Sequence, residues 1–489
     1  MSKSLKRAAI WTTLLAIVLK FAGFLREAII SKEFGASAET DAYFLAFGFI
    51  TLVIAMISTG FNNVFLPMYV KERRDTPTVG DKNANALLNW TIVLFAGVSV
   101  LGVLFAEKFV PFIYGRMSQE TELLAIEMTE WFFAFMVMIA LSGLLDSYLQ
   151  SRRIFVPSQV AKLLATLMGA VFALLFSDTW GIFSLVYGFI FGTVLGVGIQ
   201  LTALVKSDYK WKPEWQMDRA FKMTFLALII PSLLNSVVGQ INLFVNRFFA
   251  SGTEPAAVTY LNNASLITSI PNAIYATTLA AIIFTLMSEQ TNDLTKFRDT
   301  VFRGMEISLV TLVPMAVGLL IVGDAVIAFI YERGMFTPEG MQLILSKSMY
   351  ARGKTAVVFR ISVTTIAVNI LMNWLLVDKY GYPALAMSAS VVSVYYFTVS
   401  MIVVYKDLGM NEFRRFARMS IRVIIPAILM AVSVWGAKVL FGAADWRPIV
   451  ALAVLIPIGV VVYTISLRVF YKEGFRRLLG MVRSKGGRA

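Results

Sequence analysis

The amino-acid sequence predicts an all-α, polytopic membrane protein. Of its 489 residues, 58% are hydrophobic and only 15% are charged, and the mean hydropathy is +0.73. A water-soluble chain of this length needs more polar surface than that, so the composition indicates that the protein folds in a bilayer. Most of the chain also consists of apolar runs of roughly 20 residues, the length that a helix needs to cross the hydrocarbon core.

Thirteen clear spans are predicted, and the connections between them are too short for a soluble domain. The first span follows a basic start, as a signal peptide would, but no small-residue cleavage site comes after it, so we expect it to be retained. The predicted spans are 8–25, 42–69, 86–106, 123–145, 155–176, 181–205, 221–246, 258–287, 307–331, 355–377, 383–405, 420–441 and 448–471.

Lysine and arginine give the chain a net charge of +14 and concentrate in alternate connections, most densely at 70–85, 206–222 and 406–419. The positive-inside rule places these connections in the cytoplasm, together with both termini. Cytoplasmic loops therefore account for the positive charge, and no nucleic-acid partner is needed. Two cytoplasmic termini require an even number of crossings, whereas thirteen is odd.

An internal repeat shows where a crossing is missing. "FIYGR" at 112–116 recurs as "FIYER" at 329–333, an offset of 217, whereas the basic turn "QSRRIFVP" matches "YARGKTAV" at an offset of 200. The second copy is thus shorter by about 17 residues, or about 25 Å of helix. One expected span is missing near 335–351. Either the chain crosses there by a short irregular passage that protein shields from lipid, or the span is absent.

Charged residues lie in or beside the first two apolar runs. A lysine at the centre of a membrane helix costs about 2.5 to 3.5 kcal/mol, so Lys20 either faces a hydrated cavity together with Arg26 or snorkels to the interface. Asp41 follows Thr40, which could cap the second helix while Asp41 interacts favourably with the helix dipole. A functional role for Asp41 is the alternative.

The segment "GFLREAIISKEFGASAETDAYFLAF" (23–47), followed by "GFNNVFLPMY" (60–69), resembles the N-terminal signature of the MurJ/MviN family of lipid II flippases. That family belongs to the multidrug/oligosaccharidyl-lipid/polysaccharide exporter superfamily. The resemblance is dense over 20–75 and looser to about 405. It implies two pseudo-repeated lobes around a central cavity plus two C-terminal helices. The domains implied are an N-terminal lobe at 1–205, a shortened C-terminal lobe at 221–405, two additional transmembrane helices at 420–471 and a basic cytoplasmic tail at 472–489.

The resemblance implies a flippase that moves a lipid-linked oligosaccharide, most directly the peptidoglycan precursor lipid II, across the bacterial cytoplasmic membrane by alternating access. It also implies that Lys20, Arg26 and Asp41 contribute to substrate binding, since arginine and lysine suit diphosphate oxygens. The arginines that family members place in their second and eighth helices are absent here, and the latter aligns with Leu266. Lys162 is a candidate replacement cation, and a different lipid-linked polysaccharide unit is an alternative substrate.

Three asparagines are candidate ligands for a coupling ion. Asn369 and Asn373 lie at i and i+4 on one helix face, and the resemblance implies a sodium site near this position, with Asn235 as a possible partner from another helix. Interhelical hydrogen bonding is the usual alternative role for a buried asparagine. A coupling ion such as sodium, or the membrane potential, would drive transport, and no other cofactor is predicted.

Several function classes are excluded or less favoured. The chain has no cysteine and no histidine, which excludes disulfides, imidazole metal sites and cysteine or histidine nucleophiles. Without these residues or clustered acids we find no catalytic constellation, and we predict a transporter and not an enzyme. ATP is not predicted as a ligand, because "ARGKT" at 351–355 lacks the P-loop glycine spacing. The partners predicted are the lipid-linked saccharide and membrane lipids, with a monomer favoured. A cation or drug antiporter of the same fold is one alternative, but it would need buried carboxylates, whereas Asp146 and Asp324 are predicted at solvated helix ends. A variant that does not transport, because of the missing helix, is another alternative.

Overall fold

In the part of the chain that the structure, a computed structural model, describes, all regular secondary structure is helical. That part comprises residues 3–115, 117–207, 209–275, 293–330, 339–352, 354–442, 446–472 and 474–475, with the single residues 283, 287 and 290. Within these ranges there are sixteen α-helices and one five-residue π-helix. The predicted all-α class is confirmed.

The chain divides into two compact units, Met1–Leu261 and Asn262–Ala489. The helices of the first unit, with α10 extending into the second, are α1 Lys3–Phe34, α2 Ala38–Gly60, the π-helix Phe61–Phe65, α3 Leu66–Asp75, α4 Pro77–Tyr114, α5 Gln119–Ala134, α6 Met136–Ser151, α7 Val156–Trp180, α8 Phe183–Val205, α9 Arg219–Ser251 and α10 Ala257–Tyr275. Those of the second unit are α11 Leu294–Ile330, α12 Glu339–Ala351, α13 Thr355–Tyr380, α14 Pro383–Leu408, α15 Met410–Leu440 and α16 Pro448–Phe470.

Eleven of the predicted spans coincide with helices that are long and apolar enough to cross a membrane. Among the described residues, ten helices pass this test individually, and α5 with α6 form an eleventh candidate that is bent by 53° at Phe135. The other two predicted spans, 8–25 and 258–287, include side chains or residues outside the described part. The count of thirteen is therefore not confirmed.

The shortfall in the second repeat corresponds to one helix of the first. After α4, which ends in the "FIYGR" segment, the chain forms α5 and α6 before the basic turn at Arg152; after α11 the only described helix before the matching turn is α12. α5 has 16 residues and α12 has 13. A 13-residue helix is about 20 Å long, which is shorter than the hydrocarbon core. The repeat offset pairs α12 with α6, so α5 is the helix without a described counterpart; residues 331–338 lie outside the described part.

Helices α7 and α8 approach each other closely along a row of glycines. Gly188, Gly192 and Gly196 recur every four residues of α8, and a Cβ atom added to them would lie 2.4 Å from the Met168 carbonyl oxygen, 2.5 Å from the Leu164 carbonyl oxygen and 2.9 Å from the Ala161 Cβ, respectively. Small residues at this spacing allow the backbones of membrane helices to pack directly.

Residues 209–218, which we call the strap, connect α8 to α9 and lie along α4 without regular secondary structure. Side chains of α4 hydrogen-bond to the strap backbone. They are those of Asn83, Asn85, Asn89 and Trp90, and the backbone groups that they contact belong to Lys210, Lys212, Glu214, Trp215 and Asp218. The Tyr209 hydroxyl donates to Asn85 at 2.6 Å, and burial raises the pKa of Tyr209 well above its usual range, so it stays a donor. The strap is thus fixed to the first unit; its predicted cytoplasmic location stays a prediction.

In the second unit, α15 and α16 pack against each other and against α11. The Tyr463 hydroxyl on α16 donates to the Val310 carbonyl on α11 at 2.9 Å, and the Tyr471 hydroxyl contacts the Glu306 carboxylate. These two helices occupy the stretch predicted as two additional spans. In the first unit, α9 packs against α2 and α4, although the sequence division assigned residues from 221 onward to the second lobe. The lobe boundaries stay a prediction.

A buried charge cluster as the candidate functional site

The turn between α1 and α2 positions Asp41. Gly35, with a φ of +65°, ends α1 in a left-handed conformation, which glycine adopts at little cost. Ser37 and Thr40 then bond reciprocally: the Ser37 Oγ accepts from the Thr40 N–H at 3.3 Å, and the Thr40 Oγ1 accepts from the Ser37 N–H at 2.8 Å. This is a capping box. The prediction that Thr40 caps α2 is wrong by three residues, because the capping residue is Ser37.

Asp41 is buried, with 4% of its surface exposed. Its Oδ1 accepts hydrogen bonds from the Thr259 N–H at 2.8 Å and from the Thr259 hydroxyl at 2.6 Å. Thr259 lies in the first turn of α10, where backbone N–H groups lack helical partners. Asp41 therefore satisfies the N-terminus of α10, a role that neither sequence interpretation included.

Arg26 is directed into the protein. Its Nη2 donates to the Glu27 Oε1 at 2.5 Å, and the exposed fractions of the two side chains are 15% and 2%. The guanidinium carbon of Arg26 also lies 5.1 Å from the centre of the Phe47 ring, a cation–π distance. The Lys20 backbone is part of α1, but its side chain lies outside the described residues, so its predicted role stays a prediction.

A second arginine joins this cluster from α9. The guanidinium of Arg247 lies against Gly48 of α2 and beside the Tyr114 hydroxyl at the end of α4. A Cβ at residue 48 would lie only 2.0 Å from the Arg247 Nη1. Because of this close approach, residue 48 has to be glycine for the guanidinium to stay in place.

Sequence reasoning missed Arg247 and gave Glu27 no role. The predicted span ended at 246, so Arg247 was placed in the following connection, whereas α9 continues to Ser251. The readable signals were Gly48, inside an otherwise bulky helix, and the tyrosine of the repeated "FIYGR" segment. The sequence does not show that Gly48 and Tyr114 contact Arg247, because the arginine is about two hundred residues beyond Gly48 in the chain.

Lys162 is paired and does not form part of this cluster. Its Nζ lies 2.6 Å from the Asp146 Oδ2, and the Gln150 side-chain amide donates to the other carboxylate oxygen at 2.8 Å. Asp146 is fully buried, so the prediction that it lies at a solvated helix end is wrong. The prediction failed because α6 packs against α8 and α7, and Lys162 and Gln150 contact the carboxylate. The side chain of Asp324 lies outside the described residues.

We expect a Lys162→Met variant to lose about 1 to 3 kcal/mol of unfolding free energy, because it leaves the buried Asp146 carboxylate without its cation. The estimate is at the low end for a buried pair, since 38% of the lysine side chain is exposed. Adding Asp146→Asn should recover most of the loss in thermal unfolding in detergent. If Lys162 instead binds substrate, the double variant regains stability but not transport.

The proposed ion ligands are only partly described. Asn369 and Asn373 are both buried, and the Asn373 side-chain amide donates to the Asn369 carbonyl oxygen at 3.0 Å, so the two lie on one helix face as predicted. The side chain of Asn235 lies outside the described residues. In the described part, no three acidic side chains are grouped as a metal site would require. The sodium site stays a prediction.

Comparison with protein families gives a direct match to the description "Lipid II flippase MurJ", over residues 30–342 and 337–456. The chain belongs to the MurJ family. Family membership places it among polytopic membrane transporters and not among enzymes. The resemblance of the N-terminal segment predicted this family.

Curated MurJ proteins are similar over most of the chain. A probable lipid II flippase MurJ of Buchnera aphidicola subsp. Schizaphis graminum is 24% identical over 494 residues, covering 93% of this chain and 94% of the relative. Another, from Aquifex aeolicus, is 25% identical over 344 residues, covering 69% and 67%.

Solved structures share the fold. The chain superposes on a structure described as lipid II flippase MurJ in an inward closed conformation with a TM-score of 0.78 and 22% identity, covering 95% of this chain and 99% of that one. An inward-facing multidrug resistance MATE family transporter of the MOP superfamily gives a TM-score of 0.65 at 14% identity, with 80% and 95% covered. The fold is therefore that of the wider superfamily.

Proposed function

We propose that this protein flips lipid II from the cytoplasmic to the outer leaflet of the bacterial inner membrane. It thereby supplies the precursor for peptidoglycan synthesis, on which cell shape depends. The observation that carries the proposal is the pair of inward-directed arginines, Arg26 and Arg247, in a chain of the MurJ family. Fixed guanidinium groups in an apolar surrounding offer a diphosphate bidentate contacts that hydrocarbon cannot.

A different lipid-linked saccharide is the second candidate substrate. It is supported by the absence of charge in 50–59 and by Leu266 at the position of the family's eighth-helix arginine. A cation or drug antiporter has less support, because the buried carboxylate of Asp146 already has a cationic partner. A non-transporting variant would follow only if the short helix α12 prevents the conformational cycle.

The proposed mechanism is alternating access between the two repeats, with both termini in the cytoplasm and no nucleotide bound. The substrate shifts the equilibrium between inward and outward states only through its different affinity for the two. A coupling ion such as sodium, or the membrane potential at about 2.3 kcal/mol per charge per 100 mV, would supply the direction. The functional unit is proposed to be a monomer.

Depletion of the gene is expected to cause accumulation of lipid II in the cytoplasmic leaflet, because the precursor is then no longer moved to the outer leaflet. Wild-type protein should reverse the accumulation, and the Lys20→Ala, Arg26→Ala double variant should not. The control is Lys32→Ala, which removes an exposed cation from the same helix and should complement fully. Accumulation of another lipid-linked precursor would contradict lipid II as the substrate.

A further inference from the structure

The strap and the part of α4 beneath it expose three tryptophan rings. Trp90 on α4 is 49% exposed, and Trp211 and Trp215 in the strap are 59% and 49% exposed. The Trp211 indole N–H donates to the Asn89 side chain at 3.0 Å. The Trp90 indole N–H donates to the Trp215 carbonyl at 2.9 Å. Because both of these N–H groups already bond within the protein, the surface left outside is apolar, and a patch of this kind marks a contact site.

The strap lies at the level where three helices become apolar. α8 ends directly before it at Val205, which is 76% exposed, and α9 exposes 63% of Met223 in its second turn. The bonds to α4 are made at residues 83–90, where the predicted apolar run of that helix begins. Tryptophan is enriched at the depth of the lipid headgroups, where an apolar ring with a polar N–H fits best. The three rings therefore match the boundary between hydrocarbon and headgroups.

Four exposed lysines surround these rings, and none of them forms an ion pair with another described residue. They are Lys206, Lys210, Lys212 and Lys222. The stretch 206–222 contains five lysines and arginines against three acids, and one of these acids, Asp218, accepts the first N–H groups of α9 as its cap. The protein thus leaves these ammonium groups without an anion, and lipid phosphate is the anion present at this level.

We propose that the strap, together with Trp90, is a docking surface for the headgroups of anionic phospholipids. The indole rings insert between the headgroups, and Lys210 and Lys212 contact the phosphate groups. The positive-inside rule makes the leaflet concerned the cytoplasmic one. The surface lies at the opposite end of α4 from Tyr114 and the buried arginines, and the proposal does not depend on the proposed function.

The asparagines of α4 prepare the strap for binding. An extended segment without regular secondary structure has backbone groups that need partners, and Asn85 and Asn89 supply them at Lys210 and Lys212. The rings and ammonium groups are therefore held in place before a lipid arrives, which reduces the entropy lost on binding. Net charge then sets the preference. Phosphatidylglycerol is anionic, whereas the choline of phosphatidylcholine offsets its phosphate and repels lysine.

The first test measures the depth of the strap in full-length protein reconstituted into vesicles. The chain has no cysteine, so Gln216→Cys provides a single site for a bimane label at an exposed position of the strap. A nitroxide on the headgroup should quench this label strongly, and a nitroxide at the end of the acyl chain should quench it weakly. The control is Thr78→Cys, at the exposed start of α4 and about 18 Å along the helix from Trp90, where neither nitroxide should quench. If aqueous iodide quenches both labels equally, the strap lies in water, as a surface for a soluble acidic protein would, and the proposal is wrong.

The second test measures lipid preference in detergent, with bimane emission at position 216 as the signal. Short-chain phosphatidylglycerol should bind about tenfold more tightly than short-chain phosphatidylcholine, and the Lys210→Gln, Lys212→Gln double variant should reduce this preference to about twofold or less. Both lysines are exposed, so the variant is expected to fold. Lys71→Gln, which removes an exposed lysine from α3, should keep the wild-type preference. A preference that survives in the double variant, or that Lys71→Gln reduces equally, would overturn the proposal.

Discussion

A Gly192→Val variant is expected to lose about 3 kcal/mol or more of unfolding free energy and to yield little folded protein, because its side chain has no space. An added Cβ would lie 2.5 Å from the Leu164 carbonyl oxygen and 2.8 Å from the Ala165 Cα. Both are backbone atoms, so no rotamer change can relieve the contact. The helices would have to separate along their whole row of small residues. The measurement is the midpoint of thermal unfolding in detergent, with the recovery of monodisperse protein.

Gly198 provides a matched control on the same helix. A Cβ atom added there meets nothing within 4 Å, so Gly198→Ala should be neutral or stabilise the protein by up to about 1 kcal/mol through helix propensity. Gly192→Ala should already be destabilising. Equal melting temperatures for the two alanine variants would show that α7 and α8 do not pack as closely as the structure indicates.

Hydropathy predicted the fold class because it reports burial in lipid, which each helix shows independently. The glycine spacing in α8 was also readable, yet the sequence does not say which helix the glycines face. The structure supplies α7, which offers Ala161, Ala165 and Gly169 to the same interface. The shortened interval of the second repeat was readable for a different reason, since two copies of one motif can be compared in length; that a crossing is missing there stays a prediction.

The candidate site was predictable only in part, because its partners come from distant helices. Arg26 was recognisable as a charge in an apolar run. The second arginine of the site, Arg247, lies on α9 and packs against Gly48, and hydropathy does not show this contact. The pair of Asp146 and Lys162 was within reach. The two residues lie at similar distances from the turn at 152–155 that joins α6 to α7, so they occupy similar depths on successive helices. Assigning each residue separately concealed the pair.

An Asp41→Ala variant is expected to lose about 3 kcal/mol of unfolding free energy, because two hydrogen bonds to a carboxylate disappear together and the buried Thr259 N–H loses its acceptor, whereas the Thr259 hydroxyl still has the Thr40 hydroxyl at 2.9 Å. Asp41→Asn keeps one acceptor oxygen and should lose less. Thr259→Val removes only the hydroxyl bond, so the double variant with Asp41→Ala should be less destabilised than the sum of the two single variants. Thermal unfolding and complementation of depleted cells measure the two consequences.

Glu39→Ala separates this hydrogen-bonded role from a dipole effect. Glu39 is an exposed acid in the same first turn of α2, where a carboxylate interacts with the helix dipole for about 0.3 to 1 kcal/mol. If Asp41 acted on α2 only through that dipole, as one sequence interpretation holds, the two alanine variants would lose similar amounts. Because Asp41 bonds to the first turn of α10, we expect Asp41→Ala to lose several times more stability than Glu39→Ala. Similar losses of unfolding free energy in the two variants would contradict the bond to Thr259 and favour the interpretation that Asp41 acts on the dipole of α2.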